Sequence, residues 1–465
     1  MARRRPESVA SHNSHPCRRM ALVPTKSRER LVALALLSLA AGAALRLSWP
    51  GDMEFKGDEQ YVFARTQLGN WPSLGMPSSV GVPNPAMSVW AFVLLARAFG
   101  ITTPTGLGLA VMGMNVGALA LLFAFAMRIV DESERERWLW ALALVAVSPL
   151  AVLRERKIWA PSIFPALAVI FWAGWWRRDR RAGAFVWGLV GVLLGQIHMS
   201  GFFFAAGVVV WEAIRGSTGH DDREDPSAQR PKTRWSAWLA GSLLGALPMV
   251  PWLGYVLHHP SSSSAWDWRE LVTPRLWLYG LGDSLGLGLN FNLGITGFFD
   301  FLRYPRIGGV STYLVGSSQV LLALSGCAFA TVALARAWRA GRMRPRTLAT
   351  SGPDAADATS NALRATFLGY GALVAMSGLL VQRHYLVVTY PLEWVLLAGI
   401  ALGLEKHGRR LLAILWAAQL VVTISLLAYL HAHGGAAGDY GVAYRLQSPA
   451  SSSEPAARSQ VAPSK

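Results

Sequence analysis

The chain has 465 residues, of which 52% are hydrophobic and only 15% are charged. Soluble domains carry about 25% charged residues, so the composition excludes a protein whose surface mostly faces water. The net charge of +17 does not indicate nucleic acid binding, because the basic residues cluster in connections between apolar runs. We therefore expect an integral membrane protein with no nucleic acid partner.

Eleven apolar runs predict an all-α fold, a polytopic transmembrane helix bundle over residues 31–430. A membrane-crossing helix needs about 20 apolar residues. The first run, Leu31 to Leu47, lacks a small-residue cleavage site, so it is interpreted as a retained anchor rather than a signal peptide. A run at 183–214 is too long for one span, and the turn Gly195-Gln-Ile-His-Met-Ser-Gly201 predicts two short helices meeting near His198. The runs lie at about 31–49, 84–100, 104–130, 138–153, 158–176, 183–214, 235–257, 314–335, 364–381, 385–403 and 411–430.

Charge distribution predicts the sidedness of the bundle in a plasma (inner) membrane. Basic residues cluster in four places, which are the arm 1–30, the segments 177–181 and 336–364, and the residues 406–410. Cationic loops are retained on the cytoplasmic side, so the N-terminal arm should be cytoplasmic. The outer loops 48–103 and 258–313 contain the two long connections that are not basic, 48–83 and 258–312. Residues 431–465 are rich in Gly, Ala and Ser and predict a flexible external tail, largely disordered beyond Gln447.

The number of apolar runs between two cytoplasmic segments indicates that one early run does not cross the membrane. Five runs separate the cytoplasmic N-terminus from the cytoplasmic cluster at 177–181, and an odd number cannot return the chain to its starting side. The run 84–100 follows Pro83 and carries Arg97, so we expect it to form an interfacial outer helix. The other ten runs, with 183–214 split into two helices, give about 11 spans. The basic turn 154–157 then lies outside, against the positive-inside trend. Such a turn is either tolerated there or kept to hold an anion, and the sequence leaves both readings open.

The first outer loop contains the adjacent carboxylates Asp58 and Glu59. Neighbouring acids at a membrane interface are costly unless they are solvated or partnered, and desolvation raises a carboxyl pKa toward the range of a general base. The alternative is a solvated loop in which Asp58 caps a helix through Tyr61 and Ala64. Spacing alone favours the cap.

Four short patterns together resemble the polytopic GT-C glycosyltransferases, a superfamily that includes protein mannosyltransferases and the lipid A aminoarabinose transferase. The first is Gly57-Asp58-Glu59-Gln-Tyr61, followed by Pro83-Asn-Pro85. Three more resemble family features in the same order along the chain: the basic turn from Ser148 to Ser162, the turn from Gly195 to Gly201 that contains His198, and Gln382-Arg383-His384-Tyr385 with Tyr390-Pro391.

The resemblance implies sugar transfer, hexosyl or pentosyl, from a polyprenyl-phosphate donor on the non-cytoplasmic side, to a lipid, polysaccharide or protein acceptor. It implies that Asp58 orients or deprotonates the acceptor with Glu59 as its support. The cations available for the donor phosphate are Lys56, Arg154, Arg156, Lys157 and Arg383. Further substrate contacts are Tyr61, His198, His384 and Tyr385, although a lone intramembrane His is more often a packing residue. No metal ligand is predicted, and a divalent cation is left open.

Two other function classes fit the sequence less well. A transporter or lipid flippase would carry ionisable residues in mid-span and an internal repeat. Neither is evident, because the charges cluster at helix ends. A scaffold without chemistry would not require paired acids facing basic groups at two distant turns.

Overall fold

The computed structural model describes residues 25–77, 82–218, 232–259, 268–342, 358–404 and 407–447. The following lie outside these ranges: the greater part of the predicted basic arm (1–24), residues 343–357 of the cluster at 336–364, Lys406, and the last 18 residues of the predicted tail.

Helices dominate the described chain, which confirms the all-α class. They are α1 (Thr25–Leu47), α2 (Gly57–Gln67), α3 (Met87–Phe99), α4 (Pro104–Arg128), α5 (Glu132–Val147), α6 (Pro149–Arg154), α7 (Phe164–Trp176), α8 (Arg181–Ile197), α9 (Ser200–Thr218), α10 (Trp235–Ala246), α11 (Val250–His258), α12 (Arg269–Val272), α13 (Arg275–Ser284), α14 (Leu289–Leu302), α15 (Leu314–Arg342), α16 (Ala358–Arg364), α17 (Gly371–Met376), α18 (Leu392–Leu402) and α19 (Gly408–His433). Short 3-10 turns lie at Pro50–Asp52, Ala160–Ile163, Leu247–Met249, Arg383–Thr389 and Tyr444–Leu446, and a π-helical turn at Ala365–Tyr370.

Two small antiparallel hairpins complete the described elements. Strand β1 (Arg306–Ile307) pairs with β2 (Val310–Ser311), with Arg306 opposite Ser311. Strand β3 (Gly435–Ala436) pairs with β4 (Gly441–Val442), with Gly435 opposite Val442.

Five helical segments of the described chain are long and apolar enough to cross a membrane. Two pairs bent by 62° and 77°, α13 with α14 and the turn 383–389 with α18, would raise the number to seven. The count of about 11 spans therefore stays a prediction. Helix α3 has 13 residues, which at 1.5 Å per residue is only about 20 Å and shorter than the hydrocarbon core of a bilayer. The split of the run 183–214 is confirmed, since α8 ends at Ile197 and α9 begins at Ser200.

Glycines allow α8 and α10 to pack with their backbones in close approach. A Cβ at Gly188 would lie 2.1 Å from the carbonyl oxygen of Trp238, and one at Gly241 would lie 2.1 Å from that of Phe185. Small residues permit such crossings, in which van der Waals packing and not water exclusion holds the helices together. Among the described residues, the largest fully buried side chains are those of Trp138, Trp172, Trp175 and Trp187.

The predicted tail is folded where the structure describes it, and this corrects the expected start of flexibility at residue 431. Helix α19 ends at His433, and Gly434 follows it with a positive φ of 68° that turns the chain into the β3–β4 hairpin. Ala443 then forms an antiparallel bridge with Glu54. The Tyr444 N–H donates to the carbonyl of Met53 at 3.1 Å. The hairpin therefore lies on the first outer loop. We call this end of the bundle, where α2, the 154–163 turn and the β3–β4 hairpin meet, the α2 end.

Candidate active site

Helix α2 presents the two predicted carboxylates in different ways. Lys56 is the residue before the helix, and its N–H donates to Glu59 Oε2 at 3.2 Å. Asp58 is the second helical residue, so it does not cap α2, and the cap interpretation is wrong for this side chain. Asp58 is exposed, whereas Glu59 is only 2% exposed. Both acids lie in the first turn, where the helix dipole favours negative charge.

Burial separates the two acids electrostatically. Desolvation and the nearby charge of Glu54 raise the pKa of Glu59 to about 8, with Lys157 opposing them. Glu59 is therefore largely protonated at neutral pH. Desolvation also raises the pKa of Asp58, while Lys157, a hydrogen bond with the Trp159 side chain and Lys56 lower it. Asp58 is the solvent-accessible carboxylate of the pair, and it stands next to two cations.

Glu54, which is 1% exposed, holds both lysines beside α2. Its Oε1 lies 2.8 Å from Lys56 Nζ, and its Oε2 pairs with Lys157 Nζ. Lys56 Nζ is also 3.0 Å from Asp439 Oδ1, on the loop between β3 and β4. Sequence reasoning missed Glu54 and Asp439 as site residues. The available signal for Glu54 was that the segment 48–83 carries four acids and only two cations.

A second ionic cluster joins the basic turn to the late part of the chain. Asp283, which is 5% exposed, accepts from Arg154 Nη2 and from Arg383 Nη1, each at 2.6 Å. Arg383 also lies over the ring of Tyr279, 4.8 Å from its centroid. One buried carboxylate thus fixes two of the predicted phosphate-binding cations, and Asp283 was not among the predicted site residues.

Arg156 is placed differently from the other predicted cations. It is 3% exposed and donates to the carbonyl oxygens of Leu45 and Trp49 at 2.9 and 3.0 Å. These carbonyls lie at and just beyond the end of α1, where a helix leaves its last acceptors unpaired. Its guanidinium therefore completes the end of α1, and the structure does not place it beside Asp58.

The predicted aromatic and histidine contacts converge on one another. The rings of His198 and His384 are 5.1 Å apart, and that of Tyr385 is 5.4 Å from His198 and 4.9 Å from His384. Trp159 packs on His384 at 5.4 Å, and Lys157 Nζ lies 5.7 Å from the Trp159 ring centroid. Because the Trp159 side chain is also hydrogen-bonded to Asp58, one continuous set of contacts leads from Asp58 to the two histidines.

Tyr61 lies one turn beyond Asp58 along α2. Its hydroxyl donates to the carbonyl of Gly75 at 3.2 Å, and it lines a cavity of about 570 Å³. In the part of the chain that the structure describes, no set of three or more His, Cys, Asp or Glu side chains is grouped to hold a metal ion.

Comparison with known proteins gives structural matches only. No family model and no curated protein sequence matches the chain. Among solved structures, the apo oligosaccharyltransferase of Archaeoglobus fulgidus matches at 12% identity and a TM-score of 0.41, covering 88% of this chain and 56% of that one. ArnT of Cupriavidus metallidurans matches in its apo state (14% identity, TM-score 0.36) and bound to undecaprenyl phosphate (15%, 0.35), covering 88% of this chain and 77% and 78% of those chains. The chain thus spans little more than half the length of the archaeal enzyme.

Proposed function

We propose that this protein is a membrane glycosyltransferase that moves a sugar from a polyprenyl-phosphate donor to an acceptor hydroxyl, with Asp58 as the base or orienting carboxylate. The observation that carries the proposal is the position of Asp58, an exposed acid at a helix N-terminus beside Lys56 and Lys157. A transporter has no need of such an accessible acid between two cations at one end of the bundle.

The reaction exchanges one bond at the anomeric carbon of the donor. The acceptor oxygen forms a bond to this carbon while the bond between the carbon and the donor phosphate oxygen breaks. The acceptor proton passes to the Asp58 carboxylate, and the polyprenyl phosphate leaves with the bonding electrons. Negative charge grows on the leaving phosphate, so fixed cations stabilise the transition state more than the ground state.

The exposed fractions of the cationic side chains indicate which of them contact the donor phosphate. The side chains of Lys56 and Arg383 are 43% and 33% exposed, while those of Arg154 and Lys157 are 18% and 10% exposed. We assign direct contact with the donor phosphate to Lys56 and Arg383. The more buried Arg154 and Lys157 add positive charge without contacting the phosphate. Arg156 is left out because its donors are used by backbone carbonyls.

The setting of the reaction follows from the charge distribution. We propose a multi-pass protein of the plasma membrane with a cytoplasmic N-terminus, and the α2 end on the outer side. There a donor can keep its polyprenyl tail in the bilayer while its phosphate reaches the cations. The sugar, hexosyl or pentosyl, is part of the proposal.

The test is transfer from a panel of radiolabelled polyprenyl-phosphate sugars in membranes that contain the full chain. Asp58→Asn should lower transfer by about 10²–10⁴-fold, the usual contribution of a positioned acid or base. The matched control is Asp131→Asn, another exposed acid at a helix start, which should leave transfer unchanged. Equal transfer by wild type and Asp58→Asn would refute the role of the carboxylate. Absence of transfer from every donor, with a lipid or solute crossing the bilayer instead, would favour the transporter.

A further inference from the structure

A groove of about 570 Å³ opens beside α2 and has no role in the chemistry described so far. Its wall includes Tyr61 and Arg65 from α2, Asn70 and Trp71 from the loop that follows, and Tyr255 from α11. We call it the Trp71 groove. Its volume is in the range of small-molecule sites.

The loop wall of the groove is fixed in place by α3. Trp90 Nε1 donates to the carbonyl of Pro72 at 2.7 Å, and Arg97 Nη2 donates to that of Gly69 at 3.0 Å. The Trp71 ring contacts Trp90 edge to face at 5.5 Å and has the Arg97 guanidinium over it at 4.5 Å. Trp71 is nevertheless 44% exposed. A large ring held this firmly while open to water is ready to accept the apolar face of a ligand.

The groove and Asp58 share one face of α2. Asp58, Tyr61 and Arg65 are spaced three and four residues apart, which places their side chains in one row. From Asp58 to Arg65 the row is about 10 Å long at 1.5 Å per residue. A ligand two or three sugar rings long could therefore lie on Trp71 and still bring a hydroxyl toward Asp58.

Charge identifies the class of ligand. Arg65 lies over the Tyr61 ring at 5.0 Å, and among the described residues no carboxylate forms an ion pair with it. Lys56, Lys157, Arg154 and Arg383 each have such a partner. A half-buried guanidinium at a binding groove favours an anionic group, which it can bind with two parallel hydrogen bonds. A polyprenyl tail does not fit the Trp71 groove, because hydrocarbon would desolvate the Arg and Asn side chains of its wall without offering them hydrogen bonds.

We propose that the Trp71 groove binds the acceptor and that the acceptor is an acidic saccharide, whose carboxylate or phosphate meets Arg65 and whose ring lies on Trp71. This rests on the proposed transferase function and adds the substrate class to it. The same chemistry occurs on a soluble saccharide and on a glycolipid headgroup.

The experiment measures occupancy of the groove without donor, so that it does not depend on transfer. Ser73 lines the groove and is exposed, and Ser73→Cys is introduced with Cys17→Ser and Cys327→Ser in the full chain in nanodiscs. The rate of maleimide labelling is then measured against soluble trigalacturonate, against neutral maltotriose, and with a phosphorylated glucosamine lipid in the disc.

We expect trigalacturonate or the phosphoglycolipid to slow labelling at position 73, and maltotriose at the same concentration to have no effect. Protection by the first assigns a soluble acceptor, and protection by the second assigns a lipid acceptor. Arg65→Gln should raise the half-protecting concentration about ten- to a hundredfold. Arg303→Gln, an exposed arginine of the second long outer loop, should not change it. If Arg65→Gln does not fold, Trp71→Ala should raise the value about tenfold.

Three results would overturn the proposal: no protection by either anionic probe, equal protection by maltotriose, or unchanged protection in both groove variants. The wild-type protein, assayed for both protection and transfer, separates this proposal from the transferase function. Protection in a protein that transfers from no donor would keep the groove and remove the transferase. Transfer without protection would keep the transferase function and remove the groove as its acceptor site.

Discussion

Glu59→Gln should make the protein more stable at alkaline pH and leave its stability unchanged in acid. The amide keeps an oxygen that can accept from the Lys56 N–H but cannot become charged. Glu59 is 2% exposed and lies near the charge of Glu54, which together with burial raises its pKa from 4.5 to about 8. Folding therefore takes up a proton at Glu59 between these two values.

The sign follows from this proton uptake. Both states hold the proton below pH 4.5, so wild type and variant should unfold alike there. As pH rises to 8, the unfolded chain loses the proton first and the wild type loses stability, by up to about 5 kcal/mol at 1.4 kcal/mol per pKa unit. The Gln variant has no such loss.

The assay is thermal unfolding of both proteins in the same detergent at pH 5, 7 and 9. The midpoints should coincide at pH 5 and separate by several degrees at pH 9, with the Gln variant higher. Glu54→Gln removes one of the two causes of the raised pKa and should flatten the pH dependence in part. A difference between Glu59→Gln and wild type that is the same at pH 5 and pH 9 would refute the reasoning.

Three further predictions concern other parts of the α2 end. Arg46→Met should lower the free energy of unfolding by about 3–5 kcal/mol, because it leaves the buried carboxylate of Glu155, 2.6 Å away, without its ion-pair partner. Adding Glu155→Met should restore most of the lost stability. The unfolding midpoints of the single and double variants test this. Arg383→Gln should raise the KM for the donor about ten- to a hundredfold, whereas Arg303→Gln should not, and an equal KM in both would remove Arg383 from the phosphate site. A cysteine at Arg97 should react with an impermeant maleimide from outside intact cells, and labelling only after lysis would reverse the assigned orientation.

Local sequence was sufficient for much of the bundle. Apolar runs of helical length predict the helices, and the small residues around His198 predict the break between α8 and α9. Parity places the basic turn on the same side as Asp58, and the structure brings Lys157 next to it. These features depend on run length and charge, which a sequence displays directly.

The partners of the site could not be predicted in the same way. Lys56 pairs with Asp439, 383 positions away, and Asp52 pairs with Arg445, 393 positions away. No periodicity or spacing encodes such pairs, and the Gly- and Ala-rich composition of the last described segment favours disorder. The cap interpretation of Asp58 failed for a local reason, since α2 begins at Gly57 and Asp58 already lies inside its first turn.

The contact between Lys56 and Asp439 also sets a time order for biogenesis. The two residues are 383 positions apart, so at about 5–20 residues per second the ribosome needs roughly 20–80 s to supply the second after the first. During that interval the first outer loop is already translated, but the hairpin that closes over it does not exist. The site is therefore completed only after α19, the last helix that the structure describes, has been synthesised. A nascent chain stalled before α19 would expose the acids of the first loop without their cover.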